Sequence, residues 1–205
     1  MTVLMPFRQL AHFFSTYQPQ VQNPSDKVRA AVLCPLFIAD DSLHILFIKR
    51  SQTVRAHRGE ISFPGGVMES GDLSLAHTCL RETEEEIGIK AEEITILGAL
   101  DEVNTTTGFL VSPYVGIIPQ PRRLTLSRDE VESVITAPIA ELYKPENQID
   151  FYYFNGRTLQ SLTAYRCQGQ IIWGATARVL ARLLELGREH NLFNGFSDRS
   201  FHLAS

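Results

Sequence analysis

The residues best suited to chemistry lie in one acidic stretch near the middle of the chain. Glu82, Glu85 and Glu86 stand at positions i, i+3 and i+4. On a helix of about 100° per residue, this spacing places all three carboxylates on one face. Like charges at this spacing repel one another, and near a helix C-terminus they also oppose the helix dipole. A hard divalent cation with oxygen ligands, such as Mg²⁺, would offset that repulsion.

A solvated acidic face would show the same pattern, because glutamate is a good helix former and this face lies opposite the apolar stripe. In either case Arg81 can neutralise Glu85 at i+4. The upstream pair Gly65-Gly66 favours a ligand site, since a glycine backbone can approach a phosphate or a metal closely. Taken alone, the pair would equally suit a simple turn.

The helix that must carry these carboxylates is predicted over residues 73–87, where apolar or small residues recur at helical spacing before Gly88. A second strong helix is predicted over residues 176–186, and a short one over 138–143. Runs of β-prone residues bounded by turn signals predict strands at 28–38, 43–48, 94–100, 109–118, 151–154, 159–165 and 170–173. This order predicts an α/β or α+β fold with a mixed, largely antiparallel sheet.

Composition narrows the class of protein. With 205 residues, 44% of them hydrophobic and 20% charged, the chain suits one decorated globular domain and excludes a disordered or coiled-coil protein. A net charge of -4 argues against nucleic acid as a partner, and no apolar run approaches the roughly 20 residues of a membrane span. Three widely spaced cysteines suit neither a disulfide framework nor a zinc cage, which favours a reducing compartment and a cytoplasmic location.

The negative charge is concentrated in one segment. Residues 58–93 carry nine acidic and three basic residues, a net charge of -6, so the rest of the chain carries +2. A compact anionic centre in a weakly basic protein suits a cation-mediated grip on an anionic substrate.

A family resemblance rests on one set of residues, which are Gly66, Arg81-Glu82, Glu85-Glu86 and Gly88-Ile89. Their order resembles the Nudix box: G, five residues, E, seven residues, then R-E-aliphatic-x-E-E-x-G-aliphatic. Asp72 stands at the place of the first Glu, one extra residue precedes Arg81, and Thr83 replaces an aliphatic residue. These departures are similar to those of the coenzyme A pyrophosphatase subgroup.

A second signature of that subgroup, of the form R-S-x-x-x-R-x-x-x-G-x-x-x-F-P-G-G, resembles Arg50-Ser51, Arg55, Gly59 and Phe63-Pro64-Gly65-Gly66. The resemblance extends over about residues 28–186 and is specific over 49–89. It implies a Nudix-like α/β/α sandwich. We expect an N-terminal helix and linker over residues 1–26, the Nudix domain over 27–188, and a C-terminal tail over 189–205.

The resemblance also implies the composition of the active site. Glu82, Glu85, Glu86 and the carbonyl of Gly65 would bind Mg²⁺ or Mn²⁺, with Glu85 acting in catalysis and Arg81 as its orienting ion-pair partner. A base outside the box is expected on a loop. Glu130 is the first candidate and Glu102 the second. Taken alone, each is also consistent with a surface glutamate that has no catalytic role.

The substrate implied by the subgroup is coenzyme A, cleaved at its diphosphate into 3',5'-ADP and 4'-phosphopantetheine. The residues predicted to bind coenzyme A are Arg50, Ser51, Arg55, His57 and Gly66. Arg58 adds a further positive charge in the same stretch. Arginine can bind phosphate through two parallel hydrogen bonds, but each of these cationic residues alone would equally suit a charged surface.

Three alternatives stay open at this point. The enzyme could act on another nucleoside diphosphate compound such as ADP-ribose, or on a nucleoside triphosphate. It could instead be a Nudix-fold ligand sensor without turnover, although a sensor has no need to retain both the R-E and the E-E pair. A homodimer formed through the N-terminal helix also stays open.

Overall fold

The computed structural model describes residues 7–22, 26–54, 57–154 and 156–196. This part of the chain contains two sheets and four α-helices. The main sheet consists of β1 (Val28–Ala39), β2 (Ser42–Arg50), β3 (Ile61–Ser62), β4 (Gly65–Val67), β5 (Thr95–Ala99), β6 (Val103–Asn104), β7 (Phe109–Ile117) and β8 (Val131–Pro138). The smaller sheet consists of β9 (Gln148–Phe154), β10 (Leu159–Cys167) and β11 (Gln170–Ile172). The helices are α1 (Arg8–Thr16), α2 (Leu75–Ile87), α3 (Ile139–Leu142) and α4 (Gly174–Glu189).

Strand β1 is the centre of the main sheet. It pairs in parallel with β7, from Val28 opposite Phe109 to Leu36 opposite Ile117, and antiparallel with β2 and β4. The remaining strand pairs of this sheet, β2 with β3 and β8, and β7 with β5 and β6, are antiparallel. The predicted mixed, largely antiparallel sheet is therefore confirmed.

Helices cover both faces of the main sheet. Successive side chains of a strand point to opposite faces, so β1 contributes residues to two apolar layers. Ala31 and Leu33 of β1 pack in the apolar layer that includes Cys79 and Ile87 of α2. Cys34 and Leu36 belong to the opposite layer, which contains the buried residues of α1 and α4. The result is the α/β/α arrangement expected from the sequence.

Helix α2 begins at Leu75, two residues later than predicted, because Ser74 caps it and accepts a hydrogen bond from the His77 amide. Leu73, assigned to the apolar stripe from the sequence, is instead 91% exposed. Glu86 is buried together with Ile87. The acidic face predicted for α2 is therefore not uniformly solvated.

Sequence patterns missed four strands, β3, β4, β6 and β8. The first three have only two or three residues, too few for a period-2 pattern to be recognised. Strand β8 has eight residues, but Glu132, Ser133 and Thr136 interrupt its apolar positions. It pairs with β2 across a bulge between Lys49 and Arg50, where the sheet bends next to the acidic segment.

Both ends of the described chain contribute to the core. Leu10 and Phe14 on α1, together with Phe7 just before it, are buried in the same apolar cluster as Leu192 and Phe193 beyond α4. Residues on both sides of positions 27 and 188 therefore share one apolar cluster. None of the helices described is both long and apolar enough to cross a bilayer.

We predict that Leu10→Ala lowers the free energy of unfolding by about 2–5 kcal/mol, because the Leu10 side chain is fully buried and its removal leaves a cavity. Urea denaturation followed by far-UV circular dichroism measures this change. The control Leu73→Ala removes a 91% exposed leucine and should change stability by no more than about 0.5 kcal/mol. Equal unfolding midpoints for the two variants would show that α1 does not share the core.

Candidate active site

The site is built where β4 meets α2. The amide of Gly65 donates a hydrogen bond to Oε2 of Glu86, at 3.0 Å, and the Glu86 residue is only 2% exposed. Gly65 has a φ of 150°, and a Cβ there would overlap the carbonyl oxygen of Ala31. Only glycine fits this conformation and this contact, so the close pairing of β4 with β1 requires glycine at position 65.

The neighbouring Gly66 lies against a second carboxylate of the same helix. A Cβ added to Gly66 would overlap Oε1 of Glu82. The structure thus places Gly66, predicted as a substrate ligand, in contact with the Glu82 carboxylate. The two glycines together form a side-chain-free cradle for Glu82 and Glu86.

Both cradled carboxylates are held in an environment that disfavours their charge. Burial raises the pKa of Glu86 to about 8, an effect that the Gly65 amide and Arg50 oppose and that Glu82 and Glu130 reinforce. Burial also raises the pKa of Glu82, against the influence of Arg81. Arg50 is the cation nearest Glu86, with Nη1 at 3.8 Å from Oε1. The cluster therefore holds more carboxyl groups than arginines, and a bound cation would favour their charged form.

Asp72, which stands at the position of the first Glu of the box, anchors Arg81. It is buried and accepts hydrogen bonds from Nε and Nη2 of Arg81, at 3.0 and 3.1 Å. It also accepts from Oγ1 of Thr78 and from the amide of Glu69, both at 2.9 Å. The Arg81 hydrogen bonds, followed by that of the Glu69 amide, hold the pKa of Asp72 well below its usual range.

Once anchored, Arg81 reaches the acidic face of α2. Its Nη1 lies 2.9 Å from Oε2 of Glu85, and its Nη2 lies 3.1 Å from Oε1 of Glu82. Nη2 also donates to the carbonyl of Val67 at 3.2 Å. The predicted orienting role for Arg81 thus has a physical basis, and Asp72 is the residue that sequence reasoning missed. The only signal for it was an acidic residue at the first position of the box.

Glu130, the first candidate base, lies on a turn bound to the end of α2. The amide of Ser127 donates to the carbonyl of Glu86 at 3.0 Å, and the amide of Glu130 donates to the carbonyl of Ser127 at 2.9 Å. The exposed Glu130 carboxylate lies near enough to Glu82 and Glu86 to raise the pKa of both. The structure therefore brings Glu130 together with the glutamates of the box.

Glu102, the second candidate, belongs to a separate network. It is buried, and its Oε1 accepts hydrogen bonds from Nη2 of Arg29 and Oγ of Ser112, both at 2.6 Å. Its Oε2 accepts from the amide of Gln22 at 2.7 Å. These contacts tie the segment after α1 to the sheet and do not involve the box.

The predicted substrate-binding residues divide into two groups. The Nε atom of Arg50 is buried and has no acceptor among the residues described, so it can still donate to an anionic oxygen. Ser51 is buried and bonds Thr53. His57 and Arg58 are exposed and bond within their own loop, His57 to Glu60 at 3.0 Å and Arg58 to the carbonyl of Val54 at 2.8 Å. Arg55 lies outside the described residues.

The donor set suits a hard cation. Across the described ranges, no three acidic, histidine or cysteine side chains converge into a complete metal cage, because Arg81 holds both Glu82 and Glu85. The carboxylate oxygens are nevertheless the ligands that Mg²⁺ and Mn²⁺ prefer, and the buried excess of negative charge would be relieved by a cation. Glu82, Glu85 and Glu86 therefore remain the predicted metal ligands.

We predict that Glu86→Gln flattens the pH dependence of stability in the metal-free protein. The native pKa near 8 exceeds the usual 4.5, so the native state binds this proton more tightly than the unfolded chain does. Wild-type stability should fall as the pH rises from about 4.5 to 8, and the variant should be more stable at pH 8 by about 2–4 kcal/mol. Urea titrations in EDTA at pH 5 and pH 8 measure the difference.

The matched control is Glu84→Gln, on the same helix but paired with Lys90, whose hydrogen bond lowers the pKa of Glu84. It should keep the wild-type slope above pH 5, because a lowered pKa changes protonation only at more acidic pH. An unchanged slope in Glu86→Gln would contradict the burial of a carboxyl group with a raised pKa.

Comparisons with known proteins agree with this geometry. Residues 27–155 match the NUDIX domain family. The chain is 35% identical to the uncharacterized Nudix hydrolase NudL of Cronobacter sakazakii, over 88% of this chain and 96% of that protein, and 35% identical to NudL of Citrobacter koseri, over 85% and 91%. A MutT/nudix family protein from Enterococcus faecalis shares the fold, with a TM-score of 0.52 and 17% identity over 88% of this chain and 69% of that one. The chain therefore belongs to the NUDIX domain family and is a Nudix hydrolase.

Proposed function

We propose that this Nudix hydrolase is a metal-dependent pyrophosphatase that cleaves coenzyme A or its derivatives into 3',5'-ADP and (acyl-)4'-phosphopantetheine. The observation that carries the proposal is the buried Glu86 carboxylate, held by the Gly65 amide and Arg50 beside Glu82. Such a centre suits a divalent cation placed against a diphosphate. The choice of coenzyme A rests on the signature over residues 49–89.

Nudix hydrolases generally use divalent metal ions. We assign Glu82, Glu85, Glu86 and the carbonyl of Gly65 as ligands for Mg²⁺ or Mn²⁺. A divalent ion held by these residues would supply neutralisation of charge on the diphosphate oxygens and activation of water. Arg81, anchored by Asp72, orients Glu85.

The protein residues outside the metal ligands take distinct roles in this proposal. Arg50 presents a buried Nε that has no acceptor in the described structure and that suits an oxygen of the substrate phosphate. Glu130 is exposed next to the box and can accept the proton of the attacking water. Arg55 would add positive charge for a 3'-phosphate, and we propose His57 as a further substrate ligand.

The setting of the enzyme is also a proposal. Cys34, Cys79 and Cys167 are all buried and free among the described residues, which suits a reducing, cytoplasmic environment. The substrate is a small anionic molecule, and neither a nucleic acid nor a membrane is proposed as a partner. Light scattering on the purified protein tests whether it forms the homodimer that the sequence leaves open.

We expect the purified protein to hydrolyse coenzyme A with a higher kcat/KM than ADP-ribose or any deoxynucleoside triphosphate, in the presence of Mg²⁺ or Mn²⁺. Mass spectrometry should identify 3',5'-ADP and 4'-phosphopantetheine as products. A higher kcat/KM for ADP-ribose or a triphosphate would establish the alternative substrate class. Saturable binding of one of these compounds without any product would instead indicate a sensor.

We further expect Glu86→Gln to abolish turnover with Mg²⁺ while the protein stays folded, because it replaces a carboxylate ligand of the cation with a neutral amide. Glu130→Gln should lower kcat by about 10²–10³, in the range of a lost general base. Glu84→Gln serves as the matched control and should retain wild-type kcat, because Glu84 faces Lys90. Wild-type turnover by Glu86→Gln would contradict the role assigned to it.

A further inference from the structure

We propose that Ser51 and Thr53 are positioning residues that hold Glu130 against α2, and that Ser51 is not a ligand of the substrate. The proposal rests on the catalytic role assigned to Glu130 above. It concerns two segments, the one that follows β2 and the turn of residues 127–130. They lie in contact although more than seventy positions separate them in the sequence.

Two consecutive carbonyls of the turn are held by this segment. The amide of Ser51 donates to the carbonyl of Glu130 at 2.8 Å, and Oγ1 of Thr53 donates to the carbonyl of Asp129 at 2.7 Å. The β-bulge between Lys49 and Arg50 precedes the first of these bonds. Bulges redirect the strand at such places, and here the strand end meets the turn that carries Glu130.

Counting protons settles the direction of the remaining hydrogen bond. Ser51 Oγ and Thr53 Oγ1 lie 2.8 Å apart, and the single hydroxyl proton of Thr53 is already donated to Asp129. Ser51 must therefore be the donor to Thr53, while its Oγ accepts from the Thr53 amide at 3.2 Å. Because Ser51 is only 8% exposed, its proton is engaged inside the protein and is not offered to a phosphate.

The same turn is bound to α2 on its other side. The Ser127 amide donates to the carbonyl of Glu86, and the carbonyl of Ser127 accepts from the amides of Glu130 and Val131, at 2.9 and 2.7 Å. The turn is thus tied to the helix at one end and to Ser51 and Thr53 at the other. Loss of the Thr53 bond should let the Glu130 carboxylate move relative to the box, and small displacements of a catalytic group slow the reaction.

The test compares Thr53→Val, which keeps the side-chain shape but removes the donor, with Thr53→Ser, which restores it. With coenzyme A and Mg²⁺, Thr53→Val should lower kcat about five-fold with KM unchanged, as the loss of one hydrogen bond predicts. Thr53→Ser should return kcat to the wild-type value. The control Thr16→Val removes a similar side-chain bond, to the carbonyl of Phe13 on α1, and should have no effect.

A double-mutant cycle separates positioning from general destabilisation. If Thr53 acts through Glu130, Thr53→Val should cause no further loss of kcat in a Glu130→Gln background. Ser51→Ala should behave like Thr53→Val. An equal fold-loss in both backgrounds would overturn the proposal, and so would a rise in KM at unchanged kcat for Ser51→Ala, which would identify Ser51 as a substrate ligand.

Hydrogen exchange followed by NMR gives a readout independent of turnover. The Ser51 amide should exchange faster in Thr53→Val than in the wild type, while the amides of α2 keep their protection. Unchanged exchange at Ser51 would also overturn the proposal. If coenzyme A is not cleaved but another compound of the panel is, the cycle is run with that compound. The exchange experiment tests whether Thr53 supports the bond between the Ser51 amide and the Glu130 carbonyl, even in a protein without turnover.

Discussion

The active site depends on the burial of one carboxylate. Removing a charged group from water is costly unless it is paired, and Glu86 is compensated only in part by the Gly65 amide at 3.0 Å and by Arg50 at 3.8 Å. That partial compensation explains why its pKa rises to about 8. Position 65 must be glycine because a Cβ there would overlap the carbonyl oxygen of Ala31 on β1, and the amide of this glycine is the donor that reaches Glu86. The remaining elements of the site are arranged around this contact.

A second buried acid, Asp72, positions the arginine that pairs with the glutamates of α2. Asp72 binds Arg81 through two nitrogens and leaves the guanidinium able to reach Glu82 and Glu85. Five donors in a rigid plane allow one arginine to serve several carboxylates at once, which a lysine could not do. Asp72 has a shorter side chain than the glutamate usual at this position. It still reaches Arg81, because the turn over residues 69–74 brings the two residues together.

Sequence patterns predicted the long elements of the fold well. The central strands and both long helices were found within a few residues, since each carries a pronounced period of 2 or 3.6 residues. The two- and three-residue strands have no such period, and β8 is interrupted by polar residues, so their existence depends on pairing with β1, β2 and β7. An N-terminal helix was predicted and α1 forms there, whereas residues 191–196 carry no periodicity that would reveal their place in the core.

The sequence by itself indicated the candidate site of this hydrolase: three glutamates on one helical face, an arginine among them and a glycine pair before them. The glutamates and the arginine lie on one helix, whose period brings their side chains together. The glycine pair reaches them only because β4 packs against α2. Only the tertiary structure decided that Glu130 lies on a turn bonded to the end of α2 while Glu102 holds the segment after α1, and that Ser51 bonds Thr53. Each of those outcomes depends on segments far apart in the chain, whose meeting is determined by strand pairing and core packing and leaves no periodic trace in the sequence.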